Sequence, residues 1–589
     1  MPGIVGYTSR RYPIDTKTVG DAVDMLAHES WYHRDPEFSD GFIAAGGTHA
    51  GVPGENEYLH VSHDIMCWVE GECYNSGEAA DTLNLSAASF PELLTEAYSR
   101  SNLTDFLRMV DGYFCAVLYD SKRKRIVIMS DRYGLKPLFI VNRNNLFAWS
   151  SELKGLFPLP GFEKDISGDS IRCFLDVGHF IGNLTWFENV SMMPSSTMLI
   201  YDIEAATIDK KRYWRWSDIK SAPISFDDSV HMMGPILKES VARRLRHEEN
   251  TGLALSGGLD SRALLGSLDD TGNITAFTFG TKRSWDIAIA RRAAEVGNIH
   301  HRIFELNGDN WFRGRIRDIW RTDGMLNMMH MHGSPFLPKL KELFSVNLNG
   351  FVGGVFGGFY FHLLGNRHVG ERIGKNTAHE LYGRYSEYDD ADDSFYDIDS
   401  ADPYILNNRA RRMMACGSVT HAAYIVQRKP FIDNRIMEFI YSIPDDYRSE
   451  GKLYYSALLE AFPSLFRAIP WQGSGFPISK HTHGISMYLH KLRHIGDRLS
   501  LMRLSQKFTD YDIWLSDPDV RAAFLGLLDP AHAIYPDYID IKRVENIIGP
   551  YRNEKDFNSD SLCRAVTAEL WLRRVFGKPI PEMEAFDRD

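Results

Sequence analysis

The stretch "LSGGLDSR", Leu255 to Arg262, decides how the second half of the chain is read. It follows the apolar run "GLAL", leads into the helix-like "RALLGSL", and is followed in turn by the buried-strand pattern "NITAFTFG". A strand, a glycine turn, a helix and another strand predict a parallel sheet with helices on both faces. The glycines let the backbone approach a ligand closely, and the N–H groups opening the helix form a nest for an anion such as pyrophosphate. Ser256 and Ser261 can donate hydroxyl hydrogen bonds to phosphate oxygens, and Asp260 is placed to ligate the magnesium ion that neutralises them. The plainer alternative is a glycine-rich turn with no ligand.

Upstream, the chain reads differently. Through about residue 200 it consists of short alternating segments with turn punctuation, as in Phe114 to Leu156, which predicts a meander of strands. Between Thr207 and Asp228 the pattern becomes mixed and polar before long helical patterns begin, so the boundary is placed there, giving domains 1–210 and 211–589. A chain of 589 residues is too long for one core. The net charge of -12 argues against a phosphate-backbone binder, although Arg243, Arg244 and Arg246 offer a local basic patch. The six cysteines are scattered without metal spacing and read as reduced thiols. No apolar run reaches the roughly 18 residues of a membrane span, so a cytoplasmic protein is expected that binds neither nucleic acid nor membrane.

Motifs in both halves resemble the asparagine synthetase family. In the first half these are "GECYN" (Gly71–Asn75), "VDGYFCAVLYD" (Val110–Asp120), "SDRYGLKPLF" (Ser130–Phe139) and "SSELKGL" (Ser150–Leu156). In the second they are the Leu255–Arg262 loop, "TDGM" (Thr322–Met325), "FGGFY" (Phe356–Tyr360), "RKPFIDNRIMEF" (Arg428–Phe439), "IPWQGSGFPIS" (Ile469–Ser479) and "AELWLRRVFG" (Ala568–Gly577). The resemblance implies a mixed α/β and α+β protein. Its N-terminal domain would be Ntn-hydrolase-like, with αββα layers. Its C-terminal domain would be an ATP-pyrophosphatase parallel-sheet domain, of the adenine nucleotide α-hydrolase-like kind, with helical additions. It also implies a reaction in which ATP and Mg2+ activate a carboxylate as acyl adenylate, pyrophosphate leaves, and an amine attacks. Ser256, Gly257, Gly258, Asp260 and Ser261 would then bind pyrophosphate, with Asp260 also the metal ligand, and Gly350 would belong to a second phosphate-approach turn. Leu255, Phe279 and Gly280 would frame adenine, though as apolar strand ends they suit a core equally well. Lys480 lies near the family's catalytic lysine and would stabilise charge, unless it is an ordinary surface lysine.

Departures from the family pattern are equally specific. Pro2 stands where the glutamine-attacking cysteine would be, Glu70 stands where the oxyanion-stabilising asparagine would be, and "AAGGTHAGVP" offers no clear clamping arginine. In the second signature, "LNGFVGGVFGGFY", Phe351 and Gly354 replace the family's polar residue and second metal aspartate. Asp286 and Asp323 are candidate replacements, or simply helix-start and turn residues. Three readings follow: a glutamine-independent ligase like β-lactam synthetase or lasso peptide cyclase, a non-catalytic binding or regulatory relative, and an ammonia-using asparagine synthetase. The expected partners are a small-molecule or peptide carboxylate and an amine, with a homodimer left open.

Overall fold

The structure, a computed structural model, describes residues 2–51, 58–86, 88–246, 249–358, 369–389, 394–479, 507–580, 583 and 586. The alternation read in the first half builds two antiparallel sheets. One contains Gly3–Ser9, Ala44–His49, Phe139–Arg143, Leu146–Ser150 and Val190–Met192, with two short strands at its edge. The other runs in space from Thr207–Arg212 through Thr197–Asp202, Arg125–Ser130, Gly112–Asp120 and Ile65–Cys73 to Leu59–Ser62.

The two-residue period of a strand sorts their side chains. Along Gly112–Asp120, Cys115, Val117 and Tyr119 join Ile4, Phe147 and Trp149 between the sheets. Phe114, Ala116 and Leu118 point the other way and pack with Leu93, Leu94 and Phe106. Those residues belong to the helices Phe90–Ser99 and Leu103–Met109. On the first sheet's outer face, Val5, Tyr7 and Ala44 pack with Val19, Val23 and Leu26 of the helix Thr16–Leu26. The layers are therefore αββα.

The second half carries a parallel sheet of five strands in the order His300–Glu305, Ile274–Gly280, Thr251–Ala254, Val346–Leu348, Val426–Arg428. The first strand in sequence lies in the middle, and the winding reverses between it and Val346–Leu348. In such sheets ligands bind beyond the carboxyl ends of the strands at that reversal. The loops leaving there are Leu255–Gly258 and Asn349–Gly358. All six cysteines are unpaired, and among the described residues no helix is long and apolar enough to cross a membrane.

Buried ion pairs lock the halves together, and most of their members come from the motifs quoted above. Arg428, at the end of the last parallel strand, donates to both oxygens of Glu72 in "GECYN" at 2.7 and 3.0 Å and to Glu249 at 2.6 Å. Arg244 bridges Asp111 of "VDGYF" at 3.0 Å and Asp433 of "PFIDN" at 2.9 Å. Lys154 of "SSELKGL", fully buried, bonds Asp323 of "TDGM" at 2.9 Å and Glu152 at 2.5 Å. The basic patch expected at Arg243, Arg244 and Arg246 is thereby corrected: Arg244 is buried, Arg246 faces Glu72 and Glu249, and Arg243 faces Glu78. Acidic residues, most of them distant in sequence, face a run that looks cationic when read alone.

Removing one partner of such a buried pair strands the other's charge and typically costs about 3–5 kcal/mol. Arg244→Met should therefore lower the urea midpoint clearly, because it leaves Asp111 and Asp433 facing each other without their cation. An unchanged midpoint would show that the interlock contributes little.

Candidate functional site

At the sheet reversal, the glycine loop is held by its own side chains. Gly258 caps the helix Leu259–Gly266 in an extended conformation. The Ser256 N–H donates to Ser261 Oγ at 3.0 Å, the Gly257 N–H to Asp286 Oδ1 at 2.8 Å and the Gly258 N–H to Ser256 Oγ at 3.1 Å. Arg262 braces the loop from behind, donating to the Gly258, Leu465 and Ile469 carbonyls. Asp260 is half-buried in the first helical turn and accepts the Tyr454 hydroxyl at 2.7 Å. Burial raises its pKa to about 6, against the Tyr454 bond, which favours the ionised form.

The second signature loop presses directly on this one. A Cβ added at Gly350 would lie 2.9 Å from Asp260 Cβ, and one at Gly353 would lie 2.7 Å from Asp260 Oδ1. These are close approaches that only glycine allows. Between them Val352 is buried with φ +66, a strained conformation for a β-branched residue. The structure thus brings Ser256, Gly257, Gly258, Asp260, Ser261 and Gly350 together, and the second loop adds no carboxylate because Gly354 has no side chain.

Asp323 is not at this site. Its Oδ2 accepts the Leu153 N–H at 2.7 Å and its Oδ1 accepts Lys154, so it serves the contact between halves. Asp286 does sit at the loop, 6 % exposed, with Oδ1 on Gly257 and Oδ2 accepting the Gln472 side chain at 2.6 Å. Among the described residues no group of three or more His, Cys, Asp or Glu could hold a metal on protein ligands alone. The Leu255 N–H and carbonyl are used by Phe277 and Thr278, at 2.9 and 2.7 Å, so its backbone serves the sheet. Phe279 is half-buried and stacks toward Phe336, and the Gly280 carbonyl accepts the Leu306 N–H. Lys480 lies outside the described residues.

In the N-terminal half, Pro2 and Glu70 share a cavity of about 50 Å³ with His49, Tyr113, Lys136 and Gln427. Glu70 is buried and paired with Lys136 at 2.5 Å. Beyond Tyr113 lies Lys429, 3 % exposed, its Nζ 3.6 Å from the Tyr113 ring centroid and 5.4 Å from that of Phe351. This amine has no hydrogen-bond partner among the described residues, and burial, reinforced by Lys136, lowers its pKa to about 7.

Residues 53–214 match the family model of the glutamine amidotransferase domain, and residues 233–363 match that of asparagine synthase. A putative asparagine synthetase [glutamine-hydrolyzing] 2 of Methanocaldococcus jannaschii is 27% identical over 38% of this chain and 44% of its own length. The asparagine synthetase [glutamine-hydrolyzing] 2 of Bacillus subtilis is 23% identical over 68% of this chain and 60% of its own. The human asparagine synthetase [glutamine-hydrolyzing] is 22% identical over 61% and 60%. The match thus spans less than two thirds of these relatives. A solved glutamine phosphoribosylpyrophosphate amidotransferase from B. subtilis aligns at 13% identity over 51% of this chain and 65% of its own, with a TM-score of 0.26, too low to bear on the fold. The order of the two matches, an amidotransferase domain followed by an asparagine synthase domain, is that of the asparagine synthetase family and supports the resemblance read from the motifs.

Sequence reading alone missed Tyr454, Gln472 and Lys429. Tyr454 belongs to a helix whose pattern announces only a core, whereas Gln472 and Lys429 lie inside motifs quoted above and carry no local sign of their contacts. Lys429 yields a direct expectation. The folded state holds its proton more weakly than the unfolded chain does, so stability falls as pH drops from the ordinary lysine range toward 7 and levels off below. Lys429→Met should accordingly raise the apparent melting temperature at pH 7, with a gain that shrinks toward pH 10. A variant less stable at pH 7 would contradict this.

Proposed function

We propose that the chain is an ATP-dependent ligase that activates a carboxylate as acyl-AMP, releases pyrophosphate and passes the acyl group to an amine without taking nitrogen from glutamine. The observation that carries this reading is the glycine loop at the sheet reversal, with Asp260 beside it and a second glycine loop pressed against that carboxylate. Magnesium and ATP would supply the adenylyl group and a leaving pyrophosphate. The chain's own contribution is to place the leaving charge. Ser256 and Ser261 offer hydroxyl donors, Gly257 and Gly258 offer N–H groups, and Asp260 suits a phosphate-borne magnesium, which needs only one or two carboxylates. Lys480 belongs to this reading as the charge-stabilising lysine, and Leu255, Phe279 and Gly280 as the adenine frame. The division at residues 1–210 and 211–589 belongs to it as well.

The absence of glutamine use is supported by chemistry in the N-terminal cavity. Pro2 has no thiol to form a thioester, and the Glu70–Lys136 pair occupies the place of an oxyanion donor with a buried carboxylate. A second reading, a non-catalytic relative, is favoured by the missing carboxylate at Gly354.

Purified protein incubated with glutamine, ATP and magnesium should release no glutamate above a buffer control. In calorimetry Asp260→Asn should weaken magnesium-dependent ATP binding at least tenfold. Glutamate release would overturn the glutamine-independent part, and equal ATP affinity in the variant would remove Asp260 from the site.

A further inference from the structure

The three consecutive N–H groups of Ser256, Gly257 and Gly258 are all engaged by the protein's own acceptors, and those acceptors differ in kind. Two are hydroxyl oxygens, which can rotate and become donors to a phosphate. The third is the Asp286 carboxylate, which can only accept, and it lies 2.8 Å from the Gly257 nitrogen. Gly257 is also gripped from its other side. The Gln472 N–H donates to the Gly257 carbonyl at 3.2 Å, and a Cβ at Gly257 would lie 3.0 Å from Gln472 Cβ and 3.3 Å from Asp286 Oδ1. The Gln472 side chain closes the triangle by donating to Asp286 Oδ2 at 2.6 Å. Gln472 opens a tight turn in which the Trp471 N–H donates to the Phe476 carbonyl at 2.8 Å.

We infer that Asp286 is a resident anion: it occupies the phosphate position at Gly257 when no nucleotide is bound, and Gln472 carries its displacement to the Trp471–Ser479 segment. This rests on the reading of the loop as a phosphate site. A phosphate oxygen and the Asp286 carboxylate cannot share one N–H at hydrogen-bond distance, since both are anionic acceptors. When phosphate takes the Gly257 N–H, Asp286 must turn away, Gln472 loses that acceptor, and the turn it opens is loosened. Asp286 is thus a positioning residue that sets the affinity of the loop and couples its occupancy to a neighbouring segment, rather than the replacement magnesium ligand that its sequence position invites.

The test uses the full chain with magnesium pyrophosphate and with magnesium ATP as probes, comparing wild type with Asp286→Asn. The variant keeps the shape and an acceptor for Gly257 but removes the charge. It should bind both probes at least tenfold more tightly. In hydrogen exchange, residues 471–479 should exchange faster when pyrophosphate binds the wild type, with a smaller change in the variant. Equal or weaker binding by the variant, or no change in exchange across 471–479, would overturn the inference while leaving the phosphate loop standing. Binding by the variant alone would support it in its strongest form. Failure of both proteins to bind either probe would overturn this inference and the proposed function together. Asp286→Ala, with its melting temperature measured alongside, separates loss of charge from loss of the loop's shape: tight binding in both variants supports the resident anion, and loss in Ala with unchanged binding in Asn assigns Asp286 a structural role.

Discussion

The structure depends on buried arginines that join its halves. Arg428 and Arg244 are each almost fully buried, and each is compensated by carboxylates from both sides of the junction: Glu72 and Glu249 for one, Asp111 and Asp433 for the other. A buried charge left without its counter-ion is strongly destabilising. The antiparallel sandwich and the parallel sheet are therefore fixed in one relative placement, and neither can shift without exposing or stranding several charges. Lys154 with Asp323 and Glu152 repeats the arrangement at a second point of contact.

This constraint gives a physical reason for keeping the N-terminal half that does not depend on glutamine chemistry. The residues with which the first half grips the second, Glu72, Asp111 and Lys154, come from the motifs of the αββα layers, so those layers form a wall of the synthetase-like half whether or not they catalyse anything. Arg428, which ends the last parallel strand, also places the neighbouring Asn349, whose N–H donates to the Arg428 carbonyl at 3.1 Å. From Asn349 the chain enters the loop whose Gly350 and Gly353 press on Asp260. The interlock and the candidate nucleotide site are thus separated by one interstrand hydrogen bond and a few residues of loop. Lys429 follows Arg428 immediately, and its amine is the counterpart of this rigidity: packed on the Tyr113 ring with no hydrogen-bond partner among the described residues, it is held at the junction with its pKa lowered by burial.

Features that depend on local order were legible in the sequence. Alternation gave the strands of the sandwich, and a strand, glycine turn and helix gave the parallel sheet and the Ser256–Ser261 loop, because the periods of 2 and 3.6 residues are written along the chain. Features that depend on distant segments were not. Asp323 reads as a turn residue with a spare carboxylate, yet its oxygens are taken by Leu153 and Lys154, far away in sequence. Arg243, Arg244 and Arg246 read as a patch because Glu78, Asp111, Asp433 and Glu72, which face them, lie far away in sequence. Tyr454 reaches Asp260 from a helix indistinguishable from core, and the partnership of Asp286 with Gln472 spans separate elements. Sequence patterns report what one element presents, whereas the site is assembled from what several elements leave facing each other.

A crystal structure of the protein grown with ATP and magnesium tests the central claim most directly. The expected result is the β- and γ-phosphates seated in the Ser256–Ser261 loop, with the metal on Asp260 and the Gly257 N–H turned to a phosphate oxygen. Nucleotide bound elsewhere, or a loop still closed by Asp286 on Gly257 at saturating ATP, would contradict it.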